Sequence, residues 1–574
     1  MPPFRPVQSL YSLTLGAFFD VVLDAVHRSS DCVDVLRKLV LSSLHTGIRE
    51  HLVQLATMHC RNDAYTLMDL LSVFLDHTTR RLDHSRGDDH AWLRAEQCAG
   101  LFTRLDQCGA TGLHELTVKV RLDPRQGGDL ETVSAANKSF HRVLRNGLAQ
   151  NLHTLILRSV CDNEILRLLG RNCPTLNYLD ATSSWLVDDG GIRQLCFKVY
   201  EMNRNVFCAH ILISVGSNVT PVCDGFQEPE LYSDISDGYA DGNETYVDVF
   251  FRIQPSELNT CCRTLHEVRI QDTNTSEVGV IMLVLFIPNL KSLGGFIYYR
   301  NVGDAIVNLA LERTLVLSLT DLWDTSMPPE KAALLCRSVP QLSSLYTRGS
   351  WLCSLTAFKN LTSLTVDFDF VDFSYSLEEY LVQAGSTLKK LVLVDQNHPI
   401  SLVMLAENCP ALEELGAKLE GDWFGRFGSM LPELKTCRVR IGSTATLRSL
   451  LVHAKNLTAL ELTLEEDAVG DTPDVFDDMV IAQALADNSV PEKLRVFLMN
   501  SECSFTVNAV QLMINSCPEL RFLGELQMWT GLNERDIEDL FHEIRERNLD
   551  LMLRYRGHWY PYRKGCHAIT SRDH

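Results

Sequence analysis

Two hydrophobic periods divide this chain. Up to about residue 105, apolar residues fall three and four apart: Leu13, Phe18, Val21 and Val22, then Val33, Leu36, Leu39, Val40, Leu44, Ile48, Leu52 and Leu55, then Leu67, Leu70, Leu71, Phe74 and Leu75. That spacing predicts three or more amphipathic helices, a small α-helical domain over residues 1–105. Beyond residue 150 a different phrase takes over, Leu-x-x-Leu-x-Leu or a close variant, usually just after Pro or Asn. It starts at Leu152, Leu176, Leu265, Leu290, Leu342, Leu361, Leu388, Leu412, Leu434, Leu457, Leu494 and Leu520, and Leu315-Val-Leu317-Ser-Leu319 divides the widest mid-chain gap. Most steps fall near the 20 to 29 residues of a leucine-rich repeat.

Each such unit is a short strand followed by a helix, and neither element can bury its apolar side alone. Segments between the phrases, such as Ile165 to Leu169 and Leu402 to Leu405, carry apolar residues at helical spacing. The pattern therefore predicts an α/β fold: a leucine-rich-repeat solenoid over residues 106–530, with a curved parallel sheet and helices outside. Leu155, Leu179, Leu391, Leu415 and Leu460 should be buried, and finding them exposed, or their strands in separate sheets, would make the repeat assignment wrong. The phase is lost between about residues 202 and 257, where Asp224 to Asp248 is dense in acidic, Gly and Ser residues; this predicts an exposed acidic insertion. A smaller acidic gap runs from Glu465 to Asp478. Residues 531–574 are expected to cap the last repeat with an amphipathic helix, Leu532 to Asn548, while the basic and aromatic tail Arg554 to Lys564 either packs back onto it or is read as a peptide by another protein.

Composition narrows the function. The chain has 574 residues, 45% of them apolar, and a formal charge of −20, which argues against phosphate-backbone binding as its main task. The apolar run Val278 to Ile287 is about half of the roughly 20 residues a spanning helix needs. The first residues lack the pattern of a secretory signal, and the 18 cysteines form no C-x-x-C pair, so we expect reduced thiols in a cytoplasmic or nuclear protein. Walker, G-x-G-x-x-G, G-x-S-x-G and H-E-x-x-H strings are all missing from the sequence. The densest acid and imidazole run, Asp76-His77, Asp83-His84 and Asp88-Asp89-His90, sits in a polar linker, and neither a metal nor another cofactor is expected there. The expectation is a non-catalytic binding protein.

Within the phrase, the residues flanking the second leucine point away from the core. This places Tyr178, Asp180, Tyr346, Lys390, Glu414 and Glu461 on the inner face, a mixed surface suited to a protein target. Three of the phrases share a lead-in, Asn172-Cys173-Pro174, Asn408-Cys409-Pro410 and Ser516-Cys517-Pro518, and resemble the cysteine-containing subclass of leucine-rich repeat.

At the N-terminus, Ser9-Leu10-Tyr11-Ser12-Leu13-Thr14-Leu15-Gly16-Ala17-Phe18 resembles the elongin-C-binding box of cullin-RING ubiquitin-ligase substrate receptors, with Thr14 where Cys is usual. Leu44-His45-Thr46-Gly47-Ile48-Arg49-Glu50-His51-Leu52 is similar to the cullin-recruiting segment that follows in that family, with His45 in place of Pro. Helices followed by leucine repeats also look like F-box receptors, whose opening Leu-Pro pair we do not find. The resemblance implies partner contacts through Ser9, Leu10, Leu13, Thr14 and Phe18 to elongin C, and through Leu44, Ile48 and Leu52 to a cullin. The alternative is a repeat scaffold or signalling protein with no ligase link.

Overall fold

The computed structural model describes residues 2–4, 9–29, 32–60, 63–84, 92–122, 128–198, 253–295, 302–369, 374–421, 431–465, 476–486, 492–556 and 558–560. Nearly all of the acidic insertion and the tail beyond Tyr560 lie outside these residues.

Four helices open the chain: α1 (Leu10–Arg28), α2 (Val33–Ser43), α3 (Thr46–His59) and α4 (Ala64–Phe74). Ser9 starts α1 as a cap, its Oγ accepting the Ser12 N–H at 3.0 Å. The His45 ring does the same for α3 by accepting the Gly47 N–H at 3.2 Å. Helix α4 touches α1, α2 and α3, and packs on α5 (Ala95–Cys108). Gly109, at φ 61°, closes α5 in a left-handed turn that a side chain would strain.

Strands follow in two sheets. The first contains β1 (Arg81–Asp83), β2 (Glu115–Lys119), β3 (Thr154–Arg158), β4 (Tyr178–Asp180) and β5 (Glu267–Arg269), all parallel and in chain order. The second begins with β6 (Asp321–Trp323), β7 (Ser344–Arg348), β8 (Ser363–Asp367) and β9 (Lys390–Val394). It continues through β11 (Glu414–Glu420), β12 (Thr436–Ile441), β13 (Ala459–Leu464), β14 (Val496–Met499), β15 (Phe522–Gly524) and β16 (Met552–Tyr555), while the two-residue β10 (Ile400–Ser401) pairs beside β11. An antiparallel β17 (His558–Tyr560) folds back on β16 and ends the sheet. The tail therefore returns first onto the last strand, although Arg556 also reaches Glu534, at the start of helix Glu534–Glu546, at 2.7 Å. At the other terminus Phe4 bridges Leu549, and the Asp550 N–H donates to Pro3 O at 2.6 Å.

Leu155, Leu179, Leu391, Leu415 and Leu460 are all fully buried. Buried sheet positions and buried helix positions form one apolar core, and along much of the chain the helices pack on one another in sequence order. The expected single sheet is not observed, since Leu155 and Leu179 stand in the first sheet and the other three leucines in the second, so the fold described is α/β with two mainly parallel sheets and one continuous repeat solenoid is not shown. The break lies at residues 291–295. Gly294 takes φ +68°, outside the extended range of a strand, and a Cβ on Gly295 would lie 2.4 Å from the Trp323 ring. The strip's hydrogen bonds nevertheless keep the register: Val268 N–H donates to Ser292 O at 3.1 Å, and Thr320 and Asp321 N–H both donate to Lys291 O. The same pair of donors converging on one carbonyl recurs from unit to unit, from His153 and Thr154 on His114 O to Arg521 and Phe522 on Arg495 O.

Three units begin where the sequence phrase does not place them. Strand β1 carries the single buried Leu82 and falls inside the segment expected to be wholly helical. The β2 unit starts at Leu113. In β6 the buried leucines are Leu319 and Leu322, one turn of phrase later than the Leu315 start, and Asp324 occupies the next inward position. Asp324 is tolerated there because the Lys331 ammonium lies 2.8 Å away and also pairs with Asp304 at 2.5 Å.

Candidate functional site

Parallel register turns separate phrases into rows of side chains across the half-exposed face of the sheet. One row pairs Ser363, Lys390, Glu414, Thr436 and Ala459; the next pairs Tyr346, Thr365, Val392, Gly416, Arg438 and Glu461. A third pairs Lys418, Arg440 and Thr463. The rows border an open groove of about 420 Å³ lined by Val392, Val394, Asp395, Gln396, Glu414, Gly416, Lys418, Arg438, Arg440, Glu461 and Thr463.

Two of the six expected inner-face residues, Glu414 and Glu461, line it, and a third, Lys390, stands beside it. Lys390 pairs with Glu414 at 2.9 Å, and Glu461 pairs with Arg438 at 3.4 Å. Lys418 is committed as well, to Glu465 and to the Asn397 carbonyl. Val392 packs closely over Gly416, where a Cβ would stand 3.3 Å from Val392 Cγ1. The other three lie elsewhere. Tyr346 stacks on Trp323 with ring centroids 3.5 Å apart, and its hydroxyl donates to Asp367 at 2.7 Å. Tyr178 lies beneath Arg269, 5.5 Å from guanidinium to ring centroid, and burial pushes its hydroxyl up to about 12. Asp180 is fully buried, bound by Arg158 at 2.9 Å and by the Thr182 N–H at 3.0 Å. It anchors the sheet and cannot meet a target, because its carboxylate is already fully enclosed by donors.

Arg438 and Arg440 were within reach of the sequence. The phrase starting at Leu434 places Thr436 and Arg438 outward, and strand alternation carries the same face on to Arg440. Trp323 was hidden by the misplaced start of its unit.

At the N-terminus the structure separates the expected contact residues into two groups. Leu10 is 81% exposed, Leu13 is 52% exposed and Thr14 is exposed, whereas Phe18 is half-buried against the core. Leu44 and Ile48 are half-buried on the same core, and Leu52 is fully buried within it. Leu52 therefore cannot touch a partner: it falls on the face of α3 that holds the four helices together. Helix α1, at 19 residues and a mean hydropathy of 1.3, is long and apolar enough to cross a membrane by length and composition. Its second half, however, buries Phe19, Val22 and Val26 among the neighbouring helices.

Among the described residues no group of three or more His, Cys, Asp or Glu side chains is placed to hold a metal ion. Asp76 from the acid and imidazole run is bound to Arg49, His84 is buried, and Asp88, Asp89 and His90 fall outside the described residues. Cys173, Cys409 and Cys517 of the repeated lead-in all face the core, where burial pushes their thiols up: to about 11 for Cys173 and about 12 for the other two. In the buried trio Cys196, Cys261 and Cys262, accepting hydrogen bonds from the other two thiols pulls Cys262 down, while the same bonds and burial push its neighbours up. Alkylation of the native chain by iodoacetamide is expected to label exposed Cys32 ahead of the other described cysteines and to spare Cys173, Cys409 and Cys517 until the core is opened. Rapid labelling of those three without denaturant would contradict their placement.

Comparison with known proteins finds no family model that matches this chain and no curated protein similar to it.

Proposed function

We propose that this chain is a non-catalytic substrate receptor, in which a leucine-rich-repeat solenoid binds a target protein and the N-terminal helices recruit a cullin-RING ubiquitin ligase in the cytoplasm or nucleus. The observation that carries the reading is the division of α1. Its second half packs into the core, while its first half presents Leu10, Tyr11 and Leu13 to solvent at 81%, 45% and 52% exposure. Large apolar side chains grouped at the start of one capped helix fit the helix-in-groove mode of recognition, with Leu10 as anchor. Thr14 donates its hydroxyl to Leu10 O at 2.7 Å, so its polar group is satisfied inside the helix and its methyl is left for the groove. That accounts for a threonine where the resembled box has cysteine. Leu44 and Ile48, half-buried at the edge of the helical core, supply the adjoining cullin contact; Leu52 does not.

The solenoid reading is supported by the constant hydrogen-bond register across both sheets and by the buried phrase leucines. Side chains on its half-exposed face are mixed in charge and include Trp323 and Tyr346, the residue types that anchor protein interfaces. Affinity purification of the tagged full-length chain tests the assignment. Elongin C and a cullin are expected among the proteins retained; a chain that retains its targets but neither ligase component is a scaffold.

A further inference from the structure

The earliest described residues lie on the last unit of the fold. Phe4 bridges Leu549 as an antiparallel pair, the Asp550 N–H donates to Pro3 O at 2.6 Å, and Pro2 is buried. Ser9 caps α1 only five residues after Phe4, so the two stand no more than about 18 Å apart. The first turn of α1 is itself fixed to the opposite end of the fold. The Tyr11 hydroxyl is hydrogen-bonded to His51 Nδ1 on α3 at 2.7 Å, and the neighbouring Glu50 accepts the Arg80 N–H at 2.8 Å, just before β1. From β1 the two sheets and the strip between them lead back to β16 and Leu549. These links form a closed circuit. We infer that residues 2–4 are a strap that closes the run of sheets across its mouth by tying the last unit to the helices before the first, and that its release lets the two ends spread and widens access to the half-exposed face between them.

Length decides that this contact does more than cover an edge. Laid flat at roughly 4.8 Å per strand, the sheets and the strip would hold β1 and β16 about 70 Å apart. The path from Asp550 through Phe4, Ser9, Tyr11, His51 and Glu50 to Arg80 spans at most about 55 Å even when fully extended. The strap therefore reaches its seat only because the sheets curve, and while seated it holds the curve. Its grip is light, since the Phe4 side chain is 66% exposed and stands outside the apolar core. A short backbone pairing with so little burial belongs to the easily opened end of a fold, which suits release rather than a permanent lock. The closure rests on none of the partners proposed above.

A full-length chain in which a site-specific protease sequence replaces residues 5–8 tests this, because it is cut only after folding. Before cutting, the Asp550 amide should exchange slowly with deuterium. After cutting, it should exchange at least about tenfold faster, and the maximum dimension measured by small-angle X-ray scattering should increase, while exchange across β2, β3 and β4 stays unchanged. Deleting residues 2–4 should produce the same changes where the protease cannot reach its site. A rapidly exchanging Asp550 amide in the uncut chain would overturn the strap. Release of Asp550 with no change in dimension would overturn the closure, leaving residues 2–4 as a local cover of the last unit. Enlargement accompanied by lost protection across β2, β3 and β4 would be unfolding, and would overturn it as well.

Discussion

Asp76→Ala is expected to destabilise the chain by about 3 to 5 kcal/mol, the cost of leaving a buried charge without its partner. Arg49 on α3 and Asp76 after α4 meet at 2.7 Å, and both are almost wholly buried. Arg49 also donates to Leu44 O at 2.6 Å and to the Thr78 hydroxyl at 2.8 Å, while Asp76 accepts the Thr78 N–H at 3.0 Å and its hydroxyl at 2.7 Å. This network ties the N-terminal helices to the turn that feeds β1. Truncating Asp76 leaves a buried guanidinium with neutral acceptors and no counter-charge, whereas replacing both partners with apolar residues of similar volume is expected to cost far less. Urea denaturation of Asp76→Ala beside Arg49→Met/Asp76→Leu measures the difference. Equal midpoints for the single variant and the parent would show that the pair is not enclosed.

The same carboxylate gives the helices an acid sensitivity. Burial works to raise its pKa, but the Thr78 hydrogen bonds and the Arg49 charge outweigh it and hold the group below its ordinary value. A carboxylate depressed in the folded state contributes stability that is present above its unfolded pKa, about 3.9, and that is lost as pH falls through the folded value. Asp76→Asn should therefore lose its disadvantage relative to the parent below that range.

Leu415→Ala is expected to cost about 2 to 5 kcal/mol. Leu415 is fully buried in β11, paired with Leu391 on one side and Cys437 on the other, so the cavity it leaves lies between two well-filled units and cannot collapse from an edge. Val394→Ala on the exposed face is the control and should stay within about 0.5 kcal/mol of the parent. Similar losses for both would mean that the phrase leucines do not face a common core.

Much of this arrangement is legible in the order of leucines. Leu152, Leu176, Leu388 and Leu457 each start a unit where the phrase puts them, because a strand that must bury one face writes its period directly into the sequence. The misplaced units show what the period cannot carry. Asp324 stands where a leucine is expected, and only Lys331, brought close by the fold, makes that position tolerable. Leu82 enters the sheet alone, with its hydrogen bonds to β2 doing what no phrase announces. At the break between the sheets Gly294 lies against Arg269 and Gly295 against Trp323, contacts between residues of different units. The groove is of the same kind: Val392, Gly416 and Arg440 are ordinary outward positions individually, and come to line one groove only through the strand register.

The N-terminal helix divides similarly. Its cap at Ser9 and its apolar stripe are local and readable, but which part of the stripe is core was decided by α3 and α4, whose His59 and Phe74 pack on Phe19 while Leu10 and Leu13 stay exposed.

The receptor assignment stands or falls on that exposed half of α1. Leu10 and Thr14 changed together to Asp make no change in the buried set Phe19, Val22 and Val26, so the fold should survive. Co-purification of elongin C with the full-length chain and with this double variant, alongside the thermal unfolding of each, is the direct measurement. Loss of a buried anchoring leucine is worth roughly 1.5 to 3 kcal/mol, so retention should fall at least tenfold while the unfolding temperature stays within about 2 °C. Undiminished retention of elongin C by the double variant, or no retention by the parent, would contradict it.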